Sequence, residues 1–152
     1  MNNLMQDFDN IILDITEGIS DQLMGVGYLE KIKYPIIDKF KSIDFEKIEL
    51  KKDYKFSYKN QNNNISVEMI NNLDSASKIK NVVQDDYLSI VLKGSKTIQI
   101  YENMESSNCA TLNLYSNLGI VFCKDTIISE MISRDCILLD LYNTKLNNDI
   151  EI

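Results

Sequence analysis

Carboxylates and tyrosines are the residues through which this chain could move protons, because it contains no histidine. A general acid or base near neutral pH must then be an Asp, Glu, Lys, Tyr or Cys whose pKa is shifted by its surroundings. Glu68 and Glu130 lie in segments of mixed alternation, V-E-M and S-E-M. Each points either into a cavity, where burial raises a carboxyl pKa, or to solvent; alternation permits both. Tyr54, Tyr58, Tyr87 and Tyr101 supply rings and hydroxyls of the kind that line ligand sites, and they suit a core or rim equally well. These six residues are the candidate ligand-binding set, and no catalytic residue is assigned. Asp85-Asp86, before a strand, reads as a cation site or a solvated pair. Cys109, Cys123 and Cys136 sit among apolar residues without a CxxC spacing. They read as buried, reduced thiols rather than a disulfide framework or a soft-metal site. No nucleophile elbow, phosphate loop or dinucleotide fingerprint is present.

The framework that positions these residues is expected to be mainly β. Leu4, Phe8, Ile11, Ile12, Ile15, Ile19 and Leu23 recur at spacings of three and four, one face of an amphipathic helix. Asn3 caps it, and Gly25 and Gly27 end it. A shorter helix is expected after Pro35, toward Ser42. From Phe45 the period changes to two: Tyr54, Phe56 and Tyr58, then Ile65, Val67 and Met69, with Gln61–Asn64 as the turn. Asp74–Lys80 reads as a polar connection. Strands follow near Tyr87–Leu92, Thr97–Tyr101, Ala110–Leu114, Ile120–Cys123, Ile127–Ile132 and Cys136–Tyr142, punctuated by Gly94, Asn117-Leu118-Gly119 and Lys124-Asp125. The domain expectation is one unit over 1–152: a helical segment 1–44, a β-barrel 45–142 and a tail 143–152. Two strands, Leu88–Leu92 and Ile137–Leu141, are apolar on both faces and need cover outside the barrel as well as filling inside it. The amphipathic helix supplies one cover, and a second copy of the chain the other, which predicts a homodimer.

Composition narrows the function. The 152 residues are 44% hydrophobic and 26% charged, ordinary globular values. A net charge of −7 and a single arginine, Arg134, argue against nucleic acid as a partner. No apolar run approaches the ~20 residues of a membrane span. The acidic start MNNLMQDFDN does not resemble a secretory signal, so a cytoplasmic location is expected.

The order of features over Tyr87–Tyr142 resembles the cupin superfamily of antiparallel jelly-roll barrels. Val91-Leu92-Lys93-Gly94 is similar to the glycine turn of the first cupin motif, and Asn117–Phe122 to the strand that opens the second. The resemblance implies a metal held by two histidines, an acid and a third histidine. Laid onto this chain, those places fall near Asn81, Val83, Asp86 or Tyr87, and Ile128. Since at most Asp86 among them suits a hard metal, the expectation is no metal and no cofactor. The resulting reading is a metal-free, cupin-like domain that binds a small molecule or a protein partner. The alternative is a cofactor-independent isomerase, epimerase or lyase working through carboxylate and tyrosine groups.

Overall fold

The computed structural model describes residues 10–11, 14, 26–45, 54–59, 63–72, 76–134 and 136–145; the side chains of residues 26, 54–59, 63–72, 76 and 143–145 lie outside that description. Among the described residues, helix α1 (Val26–Phe40) precedes nine strands: β1 (Tyr54–Lys59), β2 (Asn63–Asn72), β3 (Ala76–Val82), β4 (Tyr87–Lys93), β5 (Ser95–Tyr101), β6 (Cys109–Tyr115), β7 (Leu118–Phe122), β8 (Ile127–Ile132) and β9 (Cys136–Lys145). They form two sheets, ordered β1-β2-β9-β4-β7 and β3-β8-β5-β6. Every pairing is antiparallel. The chain passes repeatedly from one sheet to the other, as a jelly roll requires.

Period-two alternation explains the two faces of the five-stranded sheet. Leu88, Ile90 and Leu92 of β4, with Ile137, Leu139 and Leu141 of β9, pack against Leu29, Ile36, Ile37 and Phe40 of α1. The other face sends Tyr87, Val91, Phe122 and Leu138 toward Ile98, Ile128 and Ile132 of the four-stranded sheet. The molecule is therefore helix on sheet on sheet, and the twofold apolarity of β4 and β9 follows from being the middle layer.

Several expectations change. Gly27 lies within α1, which runs through Pro35 to Phe40. The expected short helix is thus the last part of a longer one. Proline removes one backbone bond and strains the preceding turn, but burial of Leu29, Ile36, Ile37 and Phe40, each at most 4% exposed, outweighs that cost. Of the expected helix at 3–24, only Asn10, Ile11 and Asp14 are described; all three are helical, Ile11 packs on the core, and the rest lies outside the described residues. α1 covers the outer face of β4, which leaves that strand no exposed apolar face. Ala76–Val82 is a strand rather than a connection: it is the edge of its sheet, with a bulge between Lys78 and Asn81, and edge strands are commonly polar. The final strand continues to Lys145. Cys109 and Cys123 are exposed; only Cys136 is buried, and burial pushes its thiol pKa up. Cys109 opens the edge strand β6, where one face meets solvent.

The glycine of V-L-K-G has a steric reason. Gly94 adopts φ +92°, and a Cβ there would stand 2.9 Å from Ser133 Oγ and 3.0 Å from Cys136 Cα. Gly94→Ala should destabilise the fold by about 2–3 kcal/mol, from left-handed strain plus overpacking. Urea unfolding measures it, and a loss below ~0.5 kcal/mol would contradict this account of the turn.

Candidate functional site

Among the described residues, four polar side chains stand inside the sandwich, all at most 4% exposed: Ser89, Lys96, Glu130 and Asp140. Strand register puts them there. Ser89 shares its face of β4 with Tyr87 and Val91, and Asp140 shares its face of β9 with Leu138. The two are direct cross-strand partners. Lys96 and Ile98 alternate inward on β5, as do Ile128, Glu130 and Ile132 on β8. The facing sheets thus bring two carboxylates, one ammonium and one hydroxyl together.

Lys96 Nζ donates to Ser89 Oγ at 3.1 Å and ion-pairs with Glu130 Oε2 at 3.0 Å. That approach lies off line for a hydrogen bond, so Oε2 has no hydrogen-bond partner among the described residues. The ammonium also stands 5.7 Å from the centre of the Phe122 ring. Tyr87 donates to Glu130 Oε1 at 3.4 Å, a long hydrogen bond. Burial, and then the charge of Glu130, hold the Tyr87 phenol well above its ordinary range, so it is a neutral donor. Its ring stacks on Tyr142 at 4.7 Å and tilts against Phe122 at 5.0 Å.

A pocket of about 210 Å³ opens onto Tyr87 and Glu130, walled also by Lys78, Asn81, Val83, Asp85 and Tyr142, among others. Asn81 gives its amide hydrogen to the Ile79 carbonyl, and Gln84 gives its own to Val82. Both amide oxygens therefore remain as acceptors at the pocket wall. Asp86 is committed elsewhere, accepting from the backbone of Lys124 at 2.6 Å.

Of the residues singled out in the sequence, Tyr87 and Glu130 meet here. Tyr101 stands on the other face of the four-stranded sheet, hydrogen-bonded with Ser129 and Gln99 beneath the Lys80 ammonium. Tyr54, Tyr58 and Glu68 lie on β1 and β2, and their side chains fall outside the described residues. The register does set Glu68 opposite Asp140 on the neighbouring strand. Lys96, Asp140, Ser89 and Tyr142 were not singled out.

The four positions laid out by the metal motif converge: Asn81, Val83 and Tyr87 wall the pocket, and Ile128 packs in the same cluster as Val83 and Tyr87. Their groups are an amide, an isopropyl, a phenol and a sec-butyl. Among the described residues no three His, Cys, Asp or Glu gather as a metal set. The donors do not fit a resident metal, and no chemistry is derived through one.

In fold this is an all-antiparallel sandwich of two sheets with a helix on one of them. Similar solved structures include a cupin superfamily protein from Desulfitobacterium hafniense, at 14% identity over 64% of this chain and 84% of that one, TM-score 0.45. The cupin domain of Schizosaccharomyces pombe Cnp3 is similar at 12% identity, over 68% and 73%, TM-score 0.45. KdgF from Halomonas sp. is similar at 11%, over 66% and 84%, TM-score 0.44. No protein-family profile and no curated protein sequence matches the chain. No helix among the described residues is long and apolar enough to cross a membrane.

Proposed function

We propose that this protein binds a small polar molecule in the pocket between β3, β4 and β8, without a cofactor. One observation carries the reading: a buried floor of Tyr87 and Glu130, the latter held from behind by Lys96, at the bottom of an opening rimmed by the amide side chains of Asn81 and Gln84. At about 210 Å³ the space suits a molecule smaller than a drug-sized ligand. A carboxylate held by an ammonium on one side and reached by a phenol on the other is preorganised to accept hydrogen bonds from hydroxyl or amine groups.

Catalysis is the second reading, favoured by the neighbouring carboxylate and neutral phenol of Glu130 and Tyr87. Against it, Glu130 is 4% exposed and its charge is already met by Lys96. A base needs a lone pair turned toward substrate. Neither reading calls for a homodimer. With β4 covered by α1, the purified protein should scatter light as a monomer at micromolar concentration.

The test is amide NMR with a panel of monosaccharides, hydroxy acids and small amines. Saturable shifts should centre on Asn81, Val83, Tyr87 and Glu130. Tyr87→Phe, which keeps the ring and removes the hydroxyl, should weaken the best binder about tenfold, the loss of one hydrogen bond to a charged set. Shifts confined to the Tyr101–Ser129 face would place binding elsewhere and end the proposal.

A further inference from the structure

Among the described residues the buried charges do not balance. Lys96 supplies one positive charge; Glu130 and Asp140 supply two carboxyl groups, all three inside the sandwich. Among the same residues Lys96 is within ion-pair distance of Glu130 alone, and no cation stands that close to Asp140. Asp140 has a hydrogen bond with Ser89, while its Oδ1 is buried without any partner. A buried carboxylate oxygen with neither a hydrogen-bond partner nor a nearby cation is neutralised by a proton.

We propose that Asp140 carries a proton in the folded protein at neutral pH, which makes the β4–β9 interior a pH-responsive element. Protonation removes the uncompensated charge that an ionised Asp140 would bury there. The surrounding groups agree. From β4 the cluster includes Ser89 and the neutral Tyr87; from β5, Lys96; from β8, Glu130; from β3, the exposed Lys78; from β9 itself, Cys136 and Tyr142. On β2 the register position opposite is another acid, Glu68. Desolvation is the largest influence on Asp140 and raises its pKa; Glu130 raises it further, while Lys96, Ser89 and Lys78 pull it down.

The sign of the pH dependence follows. An acid whose folded pKa exceeds its unfolded value, ~3.9 for Asp, stabilises the fold fully below that value and loses its contribution as pH rises through the folded pKa. Carbon-13 NMR of the Asp140 carboxyl in the intact protein tests this directly. A chemical shift of the protonated form at pH 7 is expected; one of a carboxylate overturns the proposal. Thermal unfolding gives a second readout. Asp140→Asn should melt at least ~2–4 °C above wild type at pH 8. That advantage should vanish near pH 4. A variant melting below wild type by the same margin at every pH would show an ionised, stabilising Asp140 and overturn the idea. If the variant fails to fold, the carbon-13 measurement still decides.

Discussion

Lys96→Met should cost about 3–5 kcal/mol of stability at pH 7, the usual penalty for removing one partner of a buried ion pair. Methionine keeps much of the stem that passes Phe122 and removes the charge. What remains is Glu130 at 4% exposure with no cation at its Oε2, and Ser89 Oγ without its donor. The damage lies in the stranded carboxylate rather than in lost packing, which yields one further expectation. Lys96→Met with Glu130→Gln should recover most of the loss, because the stranded carboxylate is gone. Urea unfolding followed by far-UV circular dichroism measures both variants, since the chain has no tryptophan to report. A Lys96→Met protein within ~1 kcal/mol of wild type would show that the pair is not buried as described.

How much of this interior was legible beforehand depends on the strand. β8 alternates I-S-E-M-I, and Glu130 shares parity with Ile128 and Ile132, so a buried reading was available beside the solvent one. Tyr87 opens a strand with no exposed residue, which left it no solvent to face. The same logic reaches residues that escaped notice. A strand apolar on both faces has no wet side, and Asp140 and Ser89 each sit in one, so both had to be buried. Lys96 shares parity with Ile98 and Ile100, the apolar side of β5. What alternation cannot give is which buried residue of one sheet meets which of the other. That pairing depends on sheet-to-sheet placement, which no local period encodes. Tyr101 shows the converse: its strand was correctly read, but its parity is that of Gln99 and Thr97, the outer face.

The elements that sequence reading displaced were lost to punctuation and edges. Gly27 and Pro35 read as a stop and a start, yet Leu29, Ile32, Ile36, Ile37 and Phe40 make a stripe at spacings of three, four and one that runs straight through both. Tertiary burial overrides propensity when the stripe is long enough. β3 failed for the opposite reason. As an edge strand with Ser77, Lys78, Ile79 and Asn81 exposed, it has no apolar alternation to detect.

Leu29→Asp should then be the most damaging surface-layer change in the protein. Leu29 is fully buried in the seam between α1 and the five-stranded sheet. Truncating such a residue costs about 2–5 kcal/mol. Placing a carboxylate there adds desolvation of an unpaired charge, so a loss of more than ~4 kcal/mol is expected. Its neighbour Glu30, exposed and paired with Lys33 at 3.0 Å, is the control, and Glu30→Gln should change stability by no more than ~0.5 kcal/mol. The consequence extends beyond stability. Releasing α1 uncovers Leu88, Ile90, Leu92, Ile137, Leu139 and Leu141 as one apolar face, larger than soluble monomers ordinarily expose. Leu29→Asp should therefore bind a hydrophobic dye and associate more than wild type at equal concentration. Equal stabilities for Leu29→Asp and Glu30→Gln would mean that α1 does not cover the sheet in solution. The strand face of β4 and β9 would then need its cover from a second copy after all.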